Sequence, residues 1–270
     1  MMTSQQLKLR AGGITTTFAL AIMVLAVAHV AMQSIRHHLG LHEFYGLVRL
    51  FDMGVEANLP TFLSSLQLLV VCLVVAVIGL SKRQAHGAFA RHWLFLALIF
   101  FLLAADEMSG MHEMSIRPIR ELAPWLVTGV FYWAWVIPAM ILVLAVAFSY
   151  ARFVFRYLPR DIRNATLIGA AIFVGGAIGV EMPEARFAEK YGMENFTYAL
   201  FVLVEETMEM SGILVFLSGM LKYLSREVGA VALQVVSAPA PAPAVARVAV
   251  PTTVPVATSR RFASTQRPAH

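Results

Sequence analysis

Charge is scarce in this chain and cysteine is nearly absent. Asp, Glu, Lys and Arg make up 14% of the 270 residues, hydrophobic residues make up 59%, and the mean hydropathy is +0.72. A soluble domain carries roughly 25% charged residues. The shortfall excludes an ordinary water-facing globule and points to lipid as the solvent. The single cysteine, Cys72, lies inside an apolar run, which excludes an internal disulfide framework and a CxxC metal site. HExxH, the P-loop and GxSxG are also missing. So is the Glu-x-x-His pair of ferritin-like di-iron bundles, because the third residue before His112 is Ser109. The net charge of +5 does not indicate nucleic acid, since the basic residues fall in short clusters between apolar runs. In a membrane protein such clusters are topology signals.

What is present is a series of long apolar segments. A spanning helix needs about 20 apolar residues in a row. Six stretches qualify: Gly13–Ser34, Pro60–Leu80, Trp93–Glu113, Pro124–Tyr150, Ala165–Met182 and Thr197–Leu221. The third and sixth qualify only if their carboxylates enter the membrane. The fold class expected is all-α, a polytopic bundle of about six transmembrane helices whose partner is the bilayer. The first run is long enough to span and has no clear small-residue cleavage site after it, so it reads as a helix and not as a cleaved signal. Lys8 and Arg10, then Lys82, Arg83 and Arg91, then Arg152, Arg156, Arg160 and Arg163, then Lys222 and Arg226 all fall on one side. Arg36, Arg49, Arg117, Arg120, Arg186 and Lys190 fall on the other. The positive-inside rule makes the first side cytoplasmic, with both termini there and the inner (plasma) membrane as the location. Residues 1–228 read as the transmembrane domain. Residues 229–270, with alternating Pro and Ala, read as a disordered cytoplasmic tail.

The acids are more lopsided than the bases. Only Asp161 and Glu227 fall on the cytoplasmic side, and the other 14 of 16 lie in outer loops or outer halves of helices. In the third segment Asp106, Ser109, His112 and Glu113 share one face if the helix continues through them. Asp106 would lie roughly 20 Å from the cytoplasmic end, inside a hydrocarbon layer about 30 Å thick. In the sixth segment Glu205, Glu206 and Glu209 are bracketed by apolar sequence, and neither flank spans alone. Glu181 falls at a similar height, as do Ser64, Gln67 and His29. No Lys or Arg lies within these apolar stretches. A charge at the bilayer centre costs at least a few kcal/mol, so clustered acids need protons or shared cations.

Two neutralisers fit: a divalent metal held by oxygens and a histidine, or protons. The expected metal ligands are Asp106, His112, Glu113, Glu205, Glu206 and Glu209, with Glu107 and Glu181 as candidate catalytic bases. His29, Glu56, Ser64, Gln67, Ser109 and Tyr132 are the supporting candidates. His29 alone reads as a packed histidine, Tyr132 as a belt aromatic, Pro138 as a mid-span kink, and Gly175-x-x-x-Gly179 as a close helix contact. The Asp106-Glu107-x4-His112-Glu113 run, with Glu205-Glu206-x2-Glu209 and the stretch from Glu56 to Ser65, resembles uncharacterised bacterial multi-pass membrane proteins over residues 13–225. The resemblance brings no activity with it. The residues are compatible with three functions. The first is divalent-metal binding with metal-dependent catalysis on a small molecule. The second is proton- or cation-coupled transport. The third is a structural subunit of a membrane complex. The oligomeric state is open.

Overall fold

The computed structural model describes residues 11–227, so Lys8, Arg10 and the expected tail at 229–270 lie outside the described residues. The described chain is helical throughout, and no strand occurs within it. Its α-helices are α1 Ala11–His38, α2 Leu47–Phe51, α3 Leu59–Gln84, α4 Ala90–Ser109, α5 Ile116–Leu122, α6 Val136–Arg156, α7 Arg160–Val174, α8 Glu181–Tyr191 and α9 Phe196–Glu227. A π turn, Gly175–Val180, joins α7 to α8 without a break. Five helical stretches are long and apolar enough to cross a membrane: α1, α3, α4, α6 and the continuous Arg160–Tyr191 helix. The sixth long helix, α9, carries Glu205, Glu206 and Glu209 in its N-terminal half.

The surface supports the same reading. Leu20, Val24, Val27, Leu73, Phe101, Ile141 and Phe148 are exposed, whereas His29, Gln33, Ser64, Gln67, Glu181, Glu184 and Glu205 are buried. Apolar outside and polar inside suits a lipid solvent and inverts the arrangement of a soluble core.

Helix ends obey local chemistry. The Asn58 side chain accepts from the Thr61 N–H at 3.1 Å, and Pro60 occupies the first turn of α3, where its missing N–H costs nothing. Gly110 ends α4 in the left-handed region (φ +56°), and its N–H donates to the Asp106 carbonyl at 2.7 Å. This corrects the third segment: the helix stops at Ser109, and His112 and Glu113 lie beyond it in the turns that follow. Pro138 also departs from expectation. α6 begins at Val136, so the proline sits in the first turn and does not kink a span. Tyr132, Trp133 and Trp135 precede that helix.

The ends of the helices meet by charge. At one end Lys82 pairs with Glu227 at 2.6 Å, and Asp161 takes both Lys222 (2.8 Å) and Arg226 (2.6 Å). At the other, Arg36 bridges Glu194 and Asp52. Between them α9 is the element the others pack on: α1, α3, α7, the π turn and α8 all touch it. Two side chains hold its backbone. Nε2–H of His29 donates to the Ala199 carbonyl at 3.0 Å, while its Nδ1 accepts from Met53 N–H. The Gln67 amide donates to the Met210 carbonyl at 3.0 Å.

The closest approach is between α7 and α9, where glycines replace side chains. A methyl on Gly212 would sit 2.5 Å from the Phe173 nitrogen, and one on Gly169 would sit 2.7 Å from the Gly212 carbonyl oxygen. Gly176 continues this seam: a methyl there would sit 2.8 Å from the Glu205 carbonyl oxygen. The expected Gly175–Gly179 pair is not the contact: Gly179 has nothing within 4 Å and Gly175 meets only the end of Met208. Away from this seam, α6 stands off. Between Val136 and Tyr150 it has no buried residue. A cavity of about 370 Å³ lies between α4, α6, α7 and α9.

The seam predicts opposite responses from two glycines. Gly212→Ala should destabilise the folded protein by about 1–3 kcal/mol, because backbone cannot retreat. Gly179→Ala should be neutral or slightly stabilising. Thermal unfolding in detergent, monitored by the loss of helical circular dichroism, distinguishes them.

Candidate metal centre

The site begins with the π turn. On a regular helix each residue turns about 100°, so Glu181 would point roughly 140° away from the Gly176 face that packs on α9. The wider turn removes about one residue's worth of rotation. Its signature is the Glu181 N–H, which bonds to the carbonyl of Gly176, five residues back. Glu181 and Glu184 are thereby swung towards α9, and both are buried. Pro183, which has no N–H to give, falls in the first turn of α8 directly after the π turn.

There the two meet Glu205. One oxygen from each of Glu181, Glu184 and Glu205 lies within 4.8 Å of the other two, and all three residues are buried. Ligands at 2.3–2.6 Å from one Ca²⁺-sized ion stand at most about 5 Å apart, so a single cation fits among them. Oxygen-only donors suit hard cations over a Cys/His zinc site. Their partners are few. Trp135 Nε1–H donates to Glu181 Oε1 at 3.0 Å, and Tyr198 lies against Glu184. Glu184 Oε2 is buried with no hydrogen-bond partner among the described residues. No lysine or arginine forms an ion pair with any of the three among the described residues. An uncompensated carboxylate oxygen in a desolvated place is what a bound cation or a proton satisfies.

A second group of acids adjoins the first on the α4 side of α9. Glu206 and Glu209 interact electrostatically with Glu107, Glu181 and Glu184. Ser64 of α3 is the polar neighbour of Glu107. Gly176 faces Glu209 Cγ, which places that side chain against the π turn. Asp106 is committed to the loop after α4: its Oδ1 accepts from His112 N–H (2.8 Å) and its Oδ2 meets His112 Nδ1 (3.0 Å). The His112 ring packs on Trp135, centroids 4.6 Å apart. Trp135 thus links the His112–Asp106 pair to Glu181.

The remaining sequence candidates divide plainly. Glu113 is exposed, and the exposed Glu56 faces Gly110 at the end of α4. Burial and the nearby Glu113 raise the Glu56 carboxyl above its ordinary range. Ser109 bonds its own helix at Ala105, and the Tyr132 carbonyl and ring take Arg120. His29 and Gln67 hold the α9 backbone, and neither hydrogen-bonds to the triad among the described residues. The residue that sequence reasoning misses is Glu184. Its signal is the Glu181-x-x-Glu184 spacing directly after a glycine-rich run.

His112 lies outside the spanning helices. Burial disfavours its charged form, but the hydrogen bond and charge of Asp106, reinforced by Glu113 and Glu181, outweigh this and raise its pKa. A folded-state pKa above the unfolded value contributes stability that is complete below about pH 6.5 and is lost as pH rises through the folded value. Thermal stability should therefore fall across that upper window in the wild type. The pH dependence there should flatten in His112→Gln, as scanning calorimetry in detergent would read.

A family model described as a domain of unknown function, DUF8692, matches residues 17–224. No curated protein and no solved structure matches the chain.

Proposed function

We propose that this chain, which belongs to the DUF8692 family, is a six-span protein of the inner (plasma) membrane that binds one hard divalent cation through Glu181, Glu184 and Glu205. α9 is the sixth span and both termini are cytoplasmic. The meeting of Lys82, Lys222 and Arg226 at one end of the bundle supports that orientation, because these belong to the clusters that the positive-inside rule assigns to the cytoplasm. The observation that carries the metal reading is the buried triad with one oxygen left without a partner. Three carboxylates in lipid repel one another, and a divalent ion between them removes that cost while satisfying the free acceptor.

In this reading Trp135 orients Glu181, and Glu107, Glu206 and Glu209 form an acidic layer next to the ion. Glu107 is the candidate general base for a reaction on a small substrate reaching the site from the outer side. A bound cation would supply Lewis-acid polarisation or an activated water. The geometry favours binding over conduction. Towards the basic end, the space between α4, α6, α7 and α9 is walled by side chains such as Leu96, Phe100, Val146 and Phe216, with no carboxylate relay among its lining residues.

The reading is tested by loading purified full-length protein with Mn²⁺ after chelation. One ion per chain is expected, with a higher unfolding temperature than the chelated form. Glu184→Gln should weaken Mn²⁺ binding at least about tenfold, whereas Glu121→Gln on the surface should leave it unchanged. Absence of stoichiometric uptake by the wild type, or uptake unaffected by Glu184→Gln, sinks the proposal.

A further inference from the structure

His112 stands outside the triad, but an unbroken set of contacts joins it to Glu181. Its backbone N–H donates to Asp106 Oδ1 at 2.8 Å, and its Nδ1 meets Asp106 Oδ2 at 3.0 Å. Two contacts to one carboxylate fix the ring. The ring packs on Trp135, with centroids 4.6 Å apart. The indole Nε1–H donates to Glu181 Oε1 at 3.0 Å. Imidazole and carboxylate thus contact the same indole without pairing, and no salt bridge joins them among the described residues. They act on each other through the field.

That field is one-sided. Asp106 and Glu107 act on His112 from the end of α4, Glu113 from the turn after it, Glu56 from the segment before α3, and Glu181 from α8. Among the described residues none of these carboxylates pairs with a lysine or arginine. The imidazolium is left to offset them, and they hold its proton above the ordinary pKa. The His112 side chain is 34% exposed, so that proton exchanges with water. A divalent ion on Glu181 reverses the sign of the charge that His112 meets there. A proton on His112 and a cation on the triad therefore compete, although they bind in different places. Linkage makes the competition reciprocal.

We propose that His112 is a proton-operated switch on the cation site: the imidazolium weakens the hold of Glu181, Glu184 and Glu205 on a divalent ion, and the neutral ring restores it. The inference rests on the cation reading of the triad. The proton that leaves is the one on Nε2, because Nδ1–H is kept by Asp106. It passes to water as the ion enters. Asp106 sets the pH at which this happens, since its charge and hydrogen bond stabilise the imidazolium.

The Mn²⁺ affinity of chelated, purified full-length protein tests this at about pH 6 and about pH 8.5, on either side of the imidazole range. The free ion is read by electron paramagnetic resonance. The triad's own carboxylates also take up protons as pH falls, so the comparison that decides is between wild type and His112→Gln. His112→Gln should match the wild type at the higher pH and bind Mn²⁺ at least about tenfold more tightly than it at the lower. His112→Lys, which keeps a charge at both, should bind weakly at both. Asp106→Asn leaves the ring in place and should carry the onset of weak binding to lower pH. A histidine that only props the fold, or one that ligates the ion, would lose affinity at both pH values on replacement by Gln, and that result overturns the switch. Equal affinity of wild type and His112→Gln at the lower pH also overturns it and leaves the triad reading intact. Failure of the wild type to take up stoichiometric Mn²⁺ at the higher pH overturns both.

Discussion

The seam where α7 lies directly on α9 governs the rest of this protein. Gly169 and Gly212 allow backbone to touch backbone there, and Gly176 extends the contact to the level of Glu205. In lipid, helices gain little from burying apolar area against each other, so close packing and polar contacts must hold them together. α1 and α3 are held to α9 in the same way. His29 and Gln67 bond to its carbonyls from α1 and α3, and the ion pairs at its basic end tie it to α3 and α7. A seam this tight also fixes the height and tilt of the chain beyond Gly176, where Glu181 and Glu184 stand.

The π turn converts that proximity into a site. A regular helix through residues 175–180 would turn Glu181 and Glu184 away from α9. The wider turn brings both round to Glu205. Such turns replace well-formed hydrogen bonds with poorer ones, and they occur at functional sites more than elsewhere. Here the cost is met where the neighbouring glycines pack most tightly. The outcome is a buried triad of acids with Trp135 on one flank and the Glu107, Glu206 and Glu209 group on the other. The acids therefore occupy one layer but not one sphere.

α6 has the opposite relation to the bundle. It is anchored at its ends, by Val136 at one and by Tyr150, Phe153 and Val154 at the other, and its middle faces lipid and the apolar cleft. The protein thus has a polar half organised around α8 and α9 and an apolar cleft beside α6. The tight glycine seam and the loose apolar cleft adjoin on α7, because Gly169 and Phe173 take part in both.

Depth is legible in the sequence, and azimuth is not. The membrane-crossing lengths, the gathering of bases towards one end and the shared height of the acids all depend on rise along the helix. Rise adds about 1.5 Å per residue and hardly notices one irregular turn. For that reason residue counts alone place Glu181 and Glu205 in one layer. Direction around the helix accumulates about 100° per residue, so one extra residue in a turn redirects every side chain after it. Glu184 escapes sequence reasoning on that account, and the Gly175–Gly179 spacing suggests a contact that Gly169, Gly176 and Gly212 form instead. The face drawn through Asp106, Ser109, His112 and Glu113 fails for a related reason: Gly110 adopts the left-handed conformation and ends the helix between them. The sequence by itself determined an all-helical chain with apolar segments of spanning length that carry acids at one level. Only the tertiary structure decided which acids meet, because that rests on the π turn and on how closely two backbones can approach.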